Sequence, residues 1–503
     1  LYKALGQEVQ VRSFFADPTV QGLAQHVEQV RRPAFASIPQ TPPQDLYPVS
    51  HAQLRLWIID QFEEERTAYH MSSAYLIEGL VPAAFRSAVA LLIGRHEILR
   101  TTFVAVEGVP RQKIHLPDAW PLQVQHIDLT GEAHPEDAAR RLAYRETVEA
   151  YDLEKGPLFR VRLLQVAAAR YVVVLSMHHI ISDGWSIELM IRELLAAYAS
   201  ILKGEPPLLS PLTMQYKDFA AWHNALLAGE QGVRLRQYWA DKLSGVLPLL
   251  QLPTDYNRPQ ARTSTGAAVT TCFDEAMTGK LYGLSASCNA SLFMTVAAGI
   301  TTLLHRHTGQ DDIILGTPHA GRSHPDLADQ IGCYLNPVPM RMKLSRNQSF
   351  KEVLAHVNEN CLDLYEYHLY PFDKLVEDLH VKRIPGRSPL FDVGLTWLSS
   401  SLSDTGHTDA HQLEISQFLP EAITAKNDLW FYCLEADGKL HISLVYDVRL
   451  FREATIEQLA ADLLRIMEQV VQDAATALID LVLGGEPAGS GLHQMPLSLQ
   501  LNL

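Results

Sequence analysis

The stretch "RYVVVLSMHHIISDGW", residues 170–185, decides how the rest of the chain is interpreted. Its first half is rich in valine and contains no Gly or Pro, which predicts a buried β-strand. His178 and His179 end the strand, and Asp183 and Gly184 follow in the next turn. Because side chains alternate along an extended chain, the two imidazoles are expected to face opposite sides.

The opposite-facing geometry separates three interpretations of the histidine pair. Adjacent histidines on a strand cannot easily bind one metal ion, and the sequence has no HExxH motif or Cys/His cluster, so no metal site is predicted. A second interpretation places one histidine in a cavity, where a neutral imidazole suits proton transfer, and the other inside the fold. The third is a purely structural cluster, and the stretch alone leaves the last two open.

Two roles are open for Asp183: it either orients a histidine, as in a catalytic triad, or pairs with an arginine and holds the loop. The sequence has no GxSxG nucleophile motif. Without a nucleophile, direct transfer between two bound substrates is favoured over a covalent acyl-enzyme. Gly184 permits a sharp turn or the close approach of a ligand.

Bulk composition limits the class of protein. The 503 residues are too many for one ordinary core, which predicts two lobes. The net charge is -15 and the basic residues are scattered, which argues against a nucleic-acid partner. Five widely spaced cysteines and no signal-peptide pattern predict a reduced, cytoplasmic protein. The apolar stretches are too short to span a bilayer, so no membrane association is expected.

Hydrophobic periodicity predicts alternating helices and strands. Residues 85–104 read as a helix followed by a strand, and residues 291–318 repeat that order. The first of these helices ends in "LLIGRH" and the second in "LLHRH", a weak echo that fits two lobes built on one α/β plan. A long helix is predicted over 186–202 with Ser186 as its N-cap, a late strand over 439–447 and a final helix over 455–474.

The stretch "HHIISDGWS" resembles the HHxxxDG motif of nonribosomal peptide synthetase condensation domains, which belong to a superfamily related to chloramphenicol acetyltransferase. Further segments resemble the other motifs of that family, in the family's order. They are "SHAQLRLW" (50–57), "RHEILRTTF" (95–103), "YKDFAAW" (216–222), "IGCYLNPVPMR" (331–341), "YPFDKLV" (370–376) and "RSPLF" (387–391). Two positions depart from the family pattern: Pro337 replaces the usual Thr, and Ser388 replaces the common Asn.

The resemblance implies an α/β fold with two chloramphenicol-acetyltransferase-like lobes, arranged as a V-shaped pseudo-dimer around a central tunnel. The N-terminal helices resemble the end of a peptidyl carrier domain, whose phosphopantetheine-bearing serine would lie upstream of Leu1. The implied organisation is 1–30 C-terminal part of a carrier domain, 31–46 Pro-rich linker, 47–225 N-lobe, 226–484 C-lobe and 485–503 tail or linker.

The function implied by the resemblance is amide formation between a thioester on an upstream donor carrier and an amine on a downstream acceptor carrier, within neighbouring synthetase modules. The domain itself is expected to bind no cofactor, because the phosphopantetheine arms belong to the partner carriers. Two alternatives remain: an ester-forming or free-acceptor acyltransferase of the same fold, and a non-catalytic platform that binds carriers.

The resemblance also assigns roles to residues of the motif. His179 is expected to be catalytic, as a general base or as a positioning group. The positions expected to hold its loop are His178, Asp183, Gly184 and Arg322, with Arg341 as the rival partner of Asp183. The positions expected to line the tunnel are Trp185, Ser186 and Asn336. The remaining motif residues Arg55, Trp57, His96, Arg100 and Trp222 are interpreted mainly as scaffold.

Overall fold

The computed structural model describes residues 11–17, 19–29, 37–62, 69–120, 124–260, 265–398, 413–418 and 423–484. These residues form mixed sheets packed against helices, and the α/β prediction is confirmed. The helices are α1 Val11–Ala16, α2 Val20–Gln29, α3 His51–Phe62, α4 Pro82–Arg95, α5 Pro135–Val148, α6 Gly184–Lys203, α7 Tyr216–Ala228, α8 Glu230–Lys242, α9 Glu275–Ser287, α10 Leu292–Thr308, α11 Phe350–Tyr367, α12 Phe372–Asp378 and α13 Glu453–Gln472.

The strands form three sheets. They are β1 Tyr47–Pro48, β2 His70–Glu78, β3 Thr101–Val106, β4 Val109–Ile114, β5 Val124–Asp128, β6 Phe159–Ala167, β7 Arg170–His178, β8 Gly266–Phe273, β9 Asp312–His319, β10 Asn336–Lys343, β11 Val393–Leu398, β12 Glu414–Gln417, β13 Leu429–Ala436 and β14 Lys439–Asp447. The first lobe carries a five-stranded sheet of order β12-β2-β7-β6-β5 and a small sheet β1-β4-β3. The second lobe carries a six-stranded sheet of order β10-β9-β11-β13-β14-β8.

Strand β7 lies in the middle of the first-lobe sheet. It pairs antiparallel with β6 on one side and with β2 on the other, where His178 lies opposite His70. Neighbours on both edges satisfy its backbone, and its side chains are buried from Tyr171 to His178. A run of valines suits such a strand because it packs apolar residues on both faces.

The lobes are not separate along the chain. Strand β12 comes late in the sequence but pairs with β2 of the first lobe, with Gln417 opposite Tyr75. The boundary predicted between residues 225 and 226 falls inside helix α7. The chain therefore leaves the second lobe, adds one strand to the first and returns to β13, a crossing that periodicity alone did not indicate.

The apolar core of the first lobe also receives residues from the second. Leu327, Ile331, Cys333 and Tyr334 are buried in the same cluster as residues of β7 and α6. This contact lies directly behind the turn that follows β7, so that turn is enclosed by both lobes. Burial of apolar surface from both sides is the non-directional force that holds the lobes together here.

The long helices and late strands follow the sequence prediction, with one correction. Helix α6 begins at Gly184, and its N-cap is Asp183, not Ser186. The Asp183 Oδ1 accepts a hydrogen bond from the Ser186 backbone N–H at 2.8 Å, which satisfies an N–H that the helix itself leaves unpaired. Sequence reasoning missed this because Ser and Asp are both good N-caps.

The two ends of the chain differ in what is described. Helices α1 and α2 fall within the segment interpreted as a carrier remnant, and Arg12 donates to Asp363 of α11 at 2.8 Å. Most of the predicted Pro-rich linker from residue 37 onward has no regular structure, and the predicted tail 485–503 lies outside the described residues. Among the described residues no single helix is long and apolar enough to cross a membrane, although α9 and α10, bent by 97°, pass as a pair by length and composition.

Candidate active site

His178 is enclosed in the core of the first lobe. Its ring lies edge-on to His70 and to Tyr151, with centroids 6.0 Å away in each case. Its Nδ1 accepts a hydrogen bond from the Ile180 N–H at 3.1 Å, which fixes the turn after β7. Burial, and then the neighbouring His70 and His179, lower the pKa of His178 well below its ordinary value. His178 is therefore a neutral ring that shapes the backbone.

His179 follows directly and lies where the two lobes meet. Its backbone N–H donates to the Tyr69 carbonyl at 2.9 Å, and the Tyr69 ring stands edge-on to its imidazole. The imidazole Nδ1 lies 3.9 Å from the Cys333 Sγ of the second lobe. Only 6% of the residue is exposed. The two histidines thus have different surroundings, one within a lobe and one at the joint between lobes.

Asp183 is bound from both lobes at once. Its Oδ1 accepts from the Arg322 guanidinium at 3.0 Å and lies 2.7 Å from the Ser186 hydroxyl. Its Oδ2 accepts from the Tyr334 backbone N–H at 3.0 Å. Arg341 lies elsewhere, paired with Asp312 inside the second lobe at 2.7 Å. The carboxylate of Asp183 is occupied by an arginine and by loop groups, as in the second of the two roles left open for it.

Arg322 is the centre of this joint. While its Nη2 binds Asp183, its Nη1 donates to the carbonyls of Leu327 and Gln330 at 2.7 and 2.6 Å. The side chain is only 2% exposed. The guanidinium also lies over the Tyr334 ring, 4.2 Å from the centroid. A planar guanidinium with donors in several directions suits such a buried crossing point between loops.

The residues predicted to line a tunnel are placed differently from one another. Trp185 is 48% exposed and donates from its indole N–H to the Ala328 carbonyl at 3.1 Å. Ser186 has no exposed surface, and its hydroxyl accepts from the Gly332 N–H at 3.0 Å. Gly184 is the first residue of helix α6 and lies between Asp183 and Trp185 in the chain. Trp185 is the member of the group that faces open space, whereas Ser186 lies inside the lobe joint.

Asn336 uses its whole amide to hold one loop. Its Nδ2 donates to the His368 and Tyr370 carbonyls, both at 2.8 Å, and its Oδ1 accepts from the Phe372 N–H at 3.0 Å. It also borders a small cavity of about 30 Å³ that Cys333 and other residues line. Asn336 therefore shapes the loop that leads into α12.

Lys426 is a charged residue near His179 that the sequence did not indicate. Its ammonium group lies 5.3 Å from the Tyr69 ring centroid, and Tyr69 is the residue that holds His179. Burial first, then the nearby charge of Arg55, lower the pKa of Lys426 to about 8. The segment "TAKNDLW" resembles none of the motifs quoted above, and an isolated lysine usually faces solvent.

The electrostatic balance at His179 keeps its imidazole neutral. Burial is the largest cause that lowers its pKa to about 4, and the positive charges of Lys426 and Arg55 act in the same direction. The carboxylate of Asp183 opposes them but is outweighed. A neutral imidazole can accept a hydrogen bond from an incoming amine, whereas an imidazolium could not. Arg55, interpreted as scaffold from the sequence, thus contributes charge to the site.

No group of three or more His, Cys, Asp or Glu side chains within the described ranges could hold a metal ion. The site at the lobe joint brings together the His179 imidazole and the charges of Lys426, Arg55 and Asp183. Its arrangement fits proton handling and charge stabilisation during transfer between two bound substrates.

Comparison with known proteins identifies the family to which this fold belongs. The family described as "Condensation domain" matches residues 43–486. The chain belongs to the condensation-domain family. Within nonribosomal peptide synthetases this domain forms amide bonds.

Two relatives of the condensation domain are tyrocidine synthase 3 of Brevibacillus parabrevis and surfactin synthase subunit 1 of Bacillus subtilis (strain 168). They are 36% and 35% identical, over 95% and 98% of this chain. The chain spans only 7% and 13% of their lengths. Among solved structures, the X-domain from teicoplanin biosynthesis, in complex with OxyB, has a TM-score of 0.80 at 28% identity. The likeness covers 90% of this chain and 99% of that one.

The two departures from the family pattern have different structural settings in this condensation domain. Pro337 lies in β10, the edge strand of its sheet, where a residue without a backbone N–H is tolerated. The Ser388 hydroxyl donates to the side chain of Asn427 at 2.9 Å, and Asn427 is the residue after Lys426. The second departure therefore affects the segment that approaches the site.

Proposed function

We propose that this condensation domain transfers an acyl or peptidyl group from a thioester on a donor carrier to an amine held by an acceptor carrier. The observation that supports this is the position of His179: a neutral, buried imidazole at the joint of two lobes. Two phosphopantetheine arms, which are substrates here, would meet at this residue from opposite faces through a tunnel. Holding both arms in place makes a bimolecular reaction effectively unimolecular.

In the proposed reaction the acceptor nitrogen attacks the thioester carbonyl carbon, and the carbonyl oxygen gains a negative charge. His179 accepts a hydrogen bond from the amine, takes its proton as the C–N bond forms, and returns that proton to the leaving sulfur when the C–S bond breaks. An amine with a pKa of about 8 is already partly neutral, so a strong base is not required. A neutral imidazole with a lowered pKa suits positioning and brief proton transfer.

The surrounding residues would act on this step indirectly. We assign Asp183 and Arg322 the role of fixing the turn that presents His179, because both are bound across the joint. His178 would fix the same turn from inside the first lobe. Trp185, half exposed beside Gly184, is proposed to line the passage for one arm.

The N-terminal segment is proposed to be the C-terminal part of an upstream carrier domain. The family match begins at residue 43, yet similarity to surfactin synthase subunit 1 covers 98% of the chain, so it extends into this segment. Partners of the domain would then be the donor and acceptor carriers and the neighbouring modules. All five cysteines are free thiols, which suits the reducing cytoplasm as the proposed location.

A second candidate function is a platform without catalysis. It is favoured by the likeness to the X-domain, which was solved bound to OxyB. A platform has no need of a neutral histidine held at the lobe joint, and this chain has one. Ester formation, or transfer to a free acceptor, uses the same site and differs only in the acceptor.

The experiment that tests the proposal combines the chain with an acyl-loaded donor carrier and an aminoacyl-loaded acceptor carrier. Intact masses of both carriers are then measured. The acceptor is expected to gain the donor acyl mass while the donor returns to its free thiol. Parallel reactions use a free amine and a hydroxyacyl carrier. Transfer only to the free amine or to the hydroxyl would support the corresponding alternative, and no transfer to any acceptor would favour the platform.

A further inference from the structure

We propose that Lys426 is a positioning residue of the condensation site: its ammonium group, held over the Tyr69 ring that contacts His179, places positive charge next to the imidazole and the reacting thioester. The inference rests on the role proposed for His179. It concerns a residue outside the histidine motif, on the opposite lobe and on a different segment of the chain.

The main chain around Lys426 is fixed on both sides. Before it, the Gly266 N–H donates to the Ile423 carbonyl at 3.1 Å, and Thr424 forms a bridge with Thr265. After it, Asp428 accepts from the Arg258 guanidinium at 2.8 Å. Together with the bond between Ser388 and Asn427, these contacts anchor the segment to the second lobe.

From this anchored segment, Lys426 reaches across to the first lobe. Its ammonium group lies over the Tyr69 ring at 5.3 Å, and Tyr69 comes immediately before β2. A cation over an aromatic face is attracted by the negative charge of the ring face, which fixes the position of the ammonium group. The same ring stands edge-on to His179 with centroids 6.4 Å apart. Tyr69 therefore contacts both the cation and the imidazole.

The charges that face His179 come from several elements. Arg55 approaches from α3, Asp183 from the N-cap of α6, and Lys426 from the segment before β13. Among these charges Lys426 has the largest influence on the imidazole, ahead of Asp183 and Arg55. Two neutral groups also adjoin His179. His178 is the preceding residue, and its pKa is lowered by burial. The Cys333 thiol, whose pKa burial raises to about 12, contacts the Nδ1 of His179.

The positive field has a second consequence for the reaction. The attack of the amine places negative charge on the thioester oxygen, and nearby positive charge stabilises that state in a site with little water. Lys426 and Arg55 supply positive charge, whereas the Asp183 carboxylate is compensated by Arg322. Loss of Lys426 should therefore slow the chemical step as well as alter His179.

The test measures the protonation of His179 directly in the full chain. Histidine is labelled with ¹³C at Cε1, and the His179 resonance is assigned by its loss in His179→Gln. In the wild type the imidazole should be roughly one-tenth protonated at pH 5, since its pKa is about 4. In Lys426→Met it should be about half protonated, because removal of a nearby positive charge raises the pKa by about one unit. Lys426→Arg should resemble the wild type.

Rates and controls distinguish this electrostatic role from a structural one. Single-turnover transfer between carriers at pH 7, where Lys426 is mostly protonated, should fall about tenfold in Lys426→Met and recover in Lys426→Arg, which keeps the positive charge. Lys439→Met removes an exposed lysine from the neighbouring strand β14 and should leave both readouts unchanged. Lys426→Gln provides a second neutral variant if Lys426→Met does not fold.

The outcomes separate this inference from the proposed function. If His179 titrates at the same pH in the wild type and in both neutral variants, the role of Lys426 is overturned, whatever His179 does. If the His179 titration shifts but His179→Ala keeps full activity, the charge effect stands and the proposed catalytic role of His179 fails. A shifted His179 titration in Lys426→Met, together with slower transfer that Lys426→Arg restores, supports both the role of Lys426 and the proposed function.

Discussion

The two lobes contribute to the site in different ways. The first lobe supplies His178, His179 and Asp183 from one continuous stretch, at the end of one buried strand. The second lobe supplies Arg322 and Cys333 from the connection between β9 and β10, and Lys426 from the segment before β13. Arg322 and Cys333 lie 139 and 154 residues along the chain from their first-lobe partners. The chemical group is local in sequence, whereas the surroundings that set its charge and orientation are assembled by tertiary structure. A lobe joint thus lets the environment of His179, the proposed catalytic group, be changed without altering its motif.

The two arginine–carboxylate pairs, one between the lobes and one within a lobe, sharpen this comparison. Asp183→Ala should lower the free energy of unfolding by about 3–5 kcal/mol, because it leaves Arg322 buried without its partner carboxylate. It should also slow condensation, since the turn before α6 loses its cap and its link to the other lobe. Chemical denaturation and single-turnover kinetics measure the two effects.

The matched control for that pair is Asp312→Ala, which removes the partner of Arg341 inside the second lobe, where the carboxylate side chain is 31% exposed. It should cost less stability and leave the rate of condensation near that of the wild type. An equal loss of rate in both variants would mean that any weakened ion pair slows the enzyme, and the joint would have no special role.

The pH dependence of stability tests whether His179 is truly neutral at the joint. Its folded pKa of about 4 lies below the ordinary value of 6.5, so the unfolded chain binds more protons between these values. Stability should therefore rise with pH across that window and be lost as pH falls. From pH 7 to pH 5 this group alone accounts for about 2 kcal/mol. Denaturation curves of the wild type and His179→Gln should differ by that amount in their change with pH.

His178 also has a lowered pKa, so it too makes stability rise with pH. The stability of His179→Gln should therefore still depend on pH, but less steeply than that of the wild type. His126→Gln, which removes an exposed histidine of the first lobe, serves as the control for the loss of one imidazole. Identical pH profiles for the wild type and His179→Gln would show that His179 is already exposed to water or paired with an anion.

The smallest expected effect concerns the contact that Cys333 makes from the second lobe. Its thiol lies 3.9 Å from the His179 Nδ1, a weak interaction that helps to orient the ring. Cys333→Ala should slow condensation about threefold, in line with a loss of roughly 0.7 kcal/mol. Cys361→Ala removes another buried thiol, near Met340, and should alter stability but not rate. Similar slowing in both would argue against a specific contact with the imidazole.

Much of the first-lobe contribution could be predicted from sequence. Strand β7 follows from its run of valines, and helix α6 from its apolar periodicity, because both signals are local. The pairing of Asp183 with Arg322 required the family resemblance, since nothing in the spacing connects residues 139 positions apart. The N-cap was assigned to the wrong residue because Asp183 and Ser186 satisfy the same local rule.

The second-lobe contribution was harder to predict for a physical reason. Lys426 is positioned by the contacts of its neighbours and by the ring of Tyr69, and none of these leaves a periodic pattern in the sequence. The crossing of β12 onto β2 is likewise a pairing between distant segments. The four residues of β12 alternate between exposed and half-buried, and so short a pattern is a weak signal for a strand.

The most direct test of the account is the single-turnover rate of amide formation between carriers in His179→Ala. This rate should fall about 100-fold or more while the chain stays folded at the assay temperature, because an imidazole positioned for proton transfer contributes that much or more. His126→Ala, the exposed control, should match the wild type. Near wild-type transfer by a stably folded His179→Ala chain would contradict the claim that the reaction depends on this histidine.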